Sequence, residues 1–260
     1  PSDAITASAC HLHPSSSVGV LPATVPMSVL SIADQVDNII GAFSFEEVPT
    51  GSRDPYGIRR AAAGLAAISA AFVFDFDLSE LLAYAHRLFF NQKADIAKDI
   101  ENAAASARNF IFDRIQNRLV DGGMPREIVE AARAAGPIST LKLESLAAAL
   151  ESFRGQPGFE DFHTAYFRCT KIAAKAGAGF EGKEIDTELF ESGSESELYQ
   201  AINGLEPVLN ELAWSRDFAG ALASAATIRP LVDRFFDEVM VMAEDEKVRN
   251  NRRALVSRAA

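Results

Sequence analysis

Apolar residues at helical spacing recur along this chain, and no stretch shows the alternation of a half-buried strand. The sharpest case is Ile228, Leu231, Val232, Phe235, Phe236, Val239 and Met240, which step by three and one in turn and so mark one stripe along a helix. Pro230 suits the first turn of that helix, where a missing N–H leaves nothing unpaired. A chain patterned in this way can only bury stripe against stripe. The fold class it predicts is all-α.

The same periodicity places the other helices. Ile32, Val36, Ile39, Ile40 and Phe43 mark the first. "EVPTGSRDPYGIRR" (Glu47 to Arg60) reads as an ordered loop leading into the alanine-rich run Ala61 to Phe74. Leu78 to Phe89 and Ile96 to Leu119 follow, the latter stopped by Asp121-Gly122-Gly123. Further helices are predicted after Met124-Pro125, near Thr140 and over 162–176, then a Gly-rich acidic linker over 177–194. The last third reads as helices at about 195–203, 206–214, 217–226, 230–243 and 246–258. No fixed-period repeat is present.

Charge sets the central question. The chain carries a formal charge of -11 and a pI of about 4.9, which argues against general affinity for phosphate backbones. Yet residues 247–258 hold five basic side chains and no acidic one. On a helix, Arg249, Arg252 and Arg253 are predicted to share an exposed face, with Val248 and Leu255 on the other. Composition alone leaves this open between a solvated face and a nucleic-acid surface. Only Cys10 and Cys169 occur, which gives no disulfide framework and no zinc set and points to a reducing compartment. The run Ala61 to Phe74 is too short and too alanine-rich to span a bilayer. No signal-peptide pattern opens the chain, and because it begins at Pro1 without methionine it reads as a piece of a longer polypeptide.

Catalytic motifs are missing from the sequence. "GAGFEG" (Gly177, Gly179, Gly182) has dinucleotide-loop glycines, but it follows a predicted helix, and seven acidic residues lie between Glu181 and Glu197. It reads as linker. His11 and His13 have no third ligand at short spacing, with Asp34 the one distant carboxylate, so they read as structural. Asp34 and Asp37 lie one turn apart and read as solvated or capping carboxylates. Asp54, directly before Pro55, is placed to cap the helix after the loop.

Specific stretches also carry a resemblance. "LPATVPMSVLSIADQVDNIIGAF" followed by "PTGSRDPYGIRRAA", then "FDRIQNRLVDGGMPREIVEAA", and last "RPLVDRFFDEVMVMAEDEKVRNNRRAL" resemble, in family order, segments of the bacterial-type glycyl-tRNA synthetase β subunit. The resemblance runs from about His11 to the end, and the PTGSxDPxxxRR motif is its most specific part. It implies the C-terminal portion of that subunit. Residues 1–60 would be the tail of an HD-like domain, 61–125 a helical body, and 126–260 a DALR-type anticodon-binding domain.

The resemblance further implies tRNA(Gly) and an α subunit as partners, in an α2β2 assembly or an α–β fusion, in the cytoplasm and without membrane contact. Glycine is joined to tRNA with ATP and Mg in the α subunit, so no cofactor and no catalytic residue is expected in this segment. Arg168, Arg229, Arg249, Asn250 and Arg252 are the implied tRNA-contacting residues, joined by Arg253 on the charge of its helix alone, while Asp54, Arg59 and Arg60 hold the PTGSRDPYGIRR loop. His11 and Asp34 are the remnant of an HD metal site that the chain cannot complete, because it contains no His-Asp dipeptide. The sequence departs from the family at Gln35, at Phe167 (a basic position there) and at Arg253 (a leucine there). The competing expectation is a helical subunit-interaction module without RNA contact. An HD-type phosphohydrolase is disfavoured by the absent ligand set.

Overall fold

A computed structural model describes residues 21–92, 100–136, 138–176 and 183–260, and among these all regular structure is helical. The only β-type pairing there is an isolated bridge between Thr50 and Arg53. The chain divides into two compact units, Pro1–Ala147 and Ala148–Ala260.

In the first unit, α1 (Val25–Ser44), α2 (Ile58–Phe72), α3 (Leu78–Gln92) and α4 (Ile100–Asp121) pack together, and α5 (Arg126–Ala134) joins α4. Their stripes supply a core of Val36, Ile39, Ile40, Leu65, Leu82 and Ile111. The loop before α2 is built by its own side chains. Asp54 accepts from the N–H groups of Ile58 (2.8 Å) and Arg59 (3.1 Å), and Arg59 donates to the carbonyl of Gly51 (2.7 Å). Gly57 enters the helix at φ +68, and a Cβ there would lie 2.7 Å from the Arg60 guanidinium. Glycine therefore satisfies both the left-handed backbone and the close approach. Replacing Asp54 with alanine strands two helix-terminal N–H groups and is expected to cost about 1 kcal/mol, read as a lower urea midpoint for the first unit. An unchanged midpoint would show that the loop holds without the cap.

Further along, Asp77 caps α3 through the N–H groups of Ser79 and Glu80 (2.8 and 3.0 Å). The helix α6 (Thr140–Arg154) begins where Ser139 donates to Asp75 (2.5 Å) and accepts from the N–H of Lys142 (3.1 Å).

The second unit holds α7 (Phe159–Ala176), a short 3-10 turn (Thr187–Leu189), α8 (Gly193–Trp214), α9 (Phe218–Ala226), α10 (Arg229–Glu238) and α11 (Glu246–Ala259). Leu198 and Ile202 of α8, Val232 and Phe235 of α10, Leu255 and Val256 of α11, and Ala165 and Cys169 of α7 form its core. Two sequence expectations change here. The helices predicted at 195–203 and 206–214 are one helix that runs through Pro207. Proline there removes one N–H, whose partner would be the carbonyl of Asn203. Both residues are exposed, so solvent can take that carbonyl. The helix predicted over 230–243 stops at Glu238, and Val239 is extended at φ -118, ψ 122. Val239 and Val241 point in while Met240 and Met242 point out. The stripe thus joins a helix to a bent, non-helical strap whose first residue is extended.

Two predicted features, the His11/His13 pair and the GAGFEG glycines, lie outside the described residues.

Candidate nucleic-acid interface

The strap between α10 and α11 is clasped by the basic helix. Asp245 caps α11, accepting from the N–H groups of Lys247 (2.7 Å) and Val248 (3.1 Å). Those two bonds hold its carboxyl below the usual range. One turn on, Arg249 donates from Nη1 to the carbonyls of Ala243 (2.9 Å) and Glu244 (3.1 Å). Arg252 donates from Nη1 to the carbonyl of Met240 (3.2 Å). Met240 and Met242 stand outward on this held backbone, 74% and 65% exposed.

Arg252 is not on an exposed face, contrary to the sequence expectation. Its side chain is 7% exposed, and Nε donates to Glu195 Oε1 at 2.8 Å while Nη2 reaches Glu191 at 2.7 Å. It lies on the same inward stripe as Val248 and Leu255, at i, i+4 and i+7. Glu195 is fully buried at the third position of α8, where its other oxygen accepts from the N–H groups of Glu191 (2.8 Å) and Ser192 (2.9 Å). With Ser192 it completes a capping box. Burial by itself would raise the Glu195 carboxyl, but hydrogen bonds from Arg252 and the two N–H groups outweigh it and hold it below the usual range. Hydrogen bonding to Glu195 raises the Arg252 guanidinium further.

The other basic residues are also engaged within the unit. Arg258 makes a two-pronged pair with Glu206 (2.6 Å on each arm) and lies over the Tyr199 ring. Arg229 pairs with Asp233 at 3.3 Å. Arg168 sits on the Phe236 ring, 4.4 Å from its centroid. Arg253 and Asn250 are half-buried, and Lys247 is exposed. Two of the five basic residues of α11, Arg252 and Arg258, are therefore matched by acids of α8, Glu195 and Glu206. The neighbour of Asn250 is the structural one, since Asn251 is buried and bonds both the N–H and the carbonyl of Asp186 (2.8 Å each). Sequence reasoning missed Met240 and Met242 as outward groups, because Val239 to Met242 are all apolar and only their burial separates in from out.

An apolar cavity of about 250 Å³ lies between α7, α8, α9, α10 and α11, with Cys169 in its wall and the Arg258–Glu206 pair at its edge. Burial pushes the Cys169 thiol up to about 11, so it has no nucleophilic thiolate at neutral pH. In the first unit, Asp37 is raised by burial and then by the nearby Asp34 charge, and Asp34 accepts from Asn38 at 3.1 Å. Among the described residues no group of three or more His, Cys, Asp or Glu side chains could hold a metal ion. No described helix is long and apolar enough to cross a membrane.

Residues 162–260 match the family model described as the DALR anticodon binding domain. The glycine–tRNA ligase beta subunit of Ectopseudomonas mendocina (strain ymp) is 35% identical over 238 residues, covering 92% of this chain and 34% of that protein. The protein of the same name from Desulforapulum autotrophicum (strain HRM2) is 35% identical over 254 residues, 96% of this chain and 36% of its own length. The chain thus spans about a third of the length of these curated relatives. Residues 1–134, including the loop built by Asp54 and Arg59, match the family model described as glycyl-tRNA synthetase beta subunit. With more than half the chain under that model and the DALR model matching the residues after it, this chain belongs to the glycyl-tRNA synthetase beta subunit family.

Proposed function

We propose that this chain is a tRNA-binding C-terminal part of a glycine–tRNA ligase β subunit. It supports the ATP-dependent joining of glycine to tRNA(Gly) in the cytoplasm, by an assembly with an α subunit that holds ATP and Mg. The chain itself holds tRNA and performs no chemistry. The observation that carries this reading is the clasped strap. Arg249 and Arg252 fix the backbone of Met240 to Glu244 beside the basic helix, in the part of the chain matched by an anticodon-binding model. A pre-ordered strap presents outward side chains to unpaired bases without a further ordering cost.

The test is tRNA affinity of the assembled synthetase against salt, with matched and altered anticodons. Arg253→Ala is expected to weaken all tRNAs alike and to lower the salt slope by about one. Arg249→Ala is expected to lower discrimination between anticodons as well, because it loosens the strap. Wild-type affinity, slope and discrimination in both variants would make α11 a bystander.

A second reading, subunit docking, is favoured by the end of α8. Trp214, its last residue, is 82% exposed. A large ring held out in this way fits a protein contact. As a docking module without RNA contact this reading competes with the first, and the tRNA measurements above separate the two.

A further inference from the structure

The helix α7 carries an exposed ladder that neither the strap nor the core uses. His163, Phe167 and Lys171 follow one another at i, i+4 and i+8, so they stand in one row. The rings of His163 and Phe167 lie 6.2 Å apart and 21° from parallel, and His163 continues to Phe159 at 5.8 Å and 23°. Lys171 places its ammonium 5.5 Å from the Phe167 ring centroid. Phe167 is nevertheless 55% exposed, while Ala165 and Cys169 on the opposite side of the helix are buried in the core. Phe167 thus does not pack the unit, and its orientation is set by the row.

We infer that Phe167 is a stacking platform for an unpaired base of the bound tRNA, with Lys171 beside it on the phosphate backbone. The inference rests on the tRNA-binding reading above. Two observations favour RNA over a protein partner. C-terminal to His163 the helix carries Arg168, Lys171 and Lys175 and no acidic residue, and its two acids, Glu160 and Asp161, lie together in its first turn, in a chain whose formal charge is -11. Lysine is depleted from the cores of protein–protein contacts, whereas an aromatic ring with a cation beside it is the combination that holds single strands. Every base has a π-face for the ring, and every nucleotide has a phosphate for the cation. The contact is accordingly tolerant of base identity. Phe167 adds affinity, and discrimination between anticodons is left to other residues.

The experiment measures tRNA affinity of the assembled synthetase carrying Phe167→Ala, Phe167→Trp or Lys171→Ala, across a salt series and with tRNA(Gly) and a non-cognate tRNA. Phe167→Ala is expected to lose about tenfold in affinity for both tRNAs, with an unchanged salt slope and an unchanged melting midpoint. Phe167→Trp is expected to bind as the wild type does. Lys171→Ala is expected to lower the slope by about one. Wild-type affinity in Phe167→Ala overturns the inference while the strap reading stands. Normal tRNA affinity with weakened subunit assembly overturns it in favour of a protein partner. A wild-type assembly whose tRNA affinity is indifferent to loss of the second unit overturns both.

Discussion

Arg252→Ala is expected to destabilise the second unit by about 3–5 kcal/mol, the cost of leaving a buried charge without its partner. Glu195 is fully buried, and after the substitution only the N–H groups of Glu191 and Ser192 would remain on its carboxylate. The strap would also lose the donor to the Met240 carbonyl. Urea unfolding of the second unit's transition checks the magnitude. A midpoint within error of wild type would show that Arg252 is not structural. Replacing both partners with apolar residues, Glu195→Leu with Arg252→Met, is expected to recover part of the loss, because no buried charge is then stranded.

The same pair gives a pH signature. The folded Glu195 carboxyl titrates below its usual value of 4.5, so its stabilisation is complete above that value and is lost as pH falls through the folded pKa. Wild type should therefore weaken on acidification below about pH 4.5. The gap between wild type and Arg252→Ala should narrow there, since protonation relieves the stranded carboxylate in the variant. This matters for reading function. Lost tRNA binding in Arg252→Ala reports a broken domain, and a contact role could be argued only for a variant that melts normally.

Phe235→Ala is expected to cost a similar amount, about 3–5 kcal/mol. The ring is fully buried, lies edge-on to Phe236 at 5.3 Å between centroids, and belongs to the core shared by α7, α8, α10 and α11. Its removal leaves a cavity that four helices would have to close together, and they can relax only in part. The carbonyl of Phe235 also accepts from the N–H of Val239 (2.8 Å), the bond at which helix gives way to strap. Calorimetry on the whole chain should show the second unit melting earlier and the first unit unmoved. A pH-independent loss would separate it from Arg252→Ala. A loss below about 1 kcal/mol would mean that the core repacks around the gap.

Most of the helices are legible in the sequence because their cause is local. A stripe at helical spacing needs only its own residues, so α1, α2, α4 and α7 stand near where the periodicity puts them. The errors sit where a local rule meets something it cannot weigh. Pro207 argues for a break, but the turns on either side of it bond to each other and the helix runs on. Val239 and Met240 continue the helical spacing by coincidence, because the helix has already ended at Glu238.

The charges were decided elsewhere. Five basic side chains on one short helix are plain in the sequence, and so is the acidity of the chain around them. Which acid meets which base is not, because Glu195 and Arg252 are separated by 57 residues and meet only once α8 and α11 have docked. Whether Arg252 faces water or the core depends on that docking, and so does the choice between Asn250 and Asn251 as the residue that ties down Asp186. Helical period follows from backbone geometry within one segment and can be read in order along the chain. The partner of a charge follows from packing between segments, and only the tertiary structure supplies it.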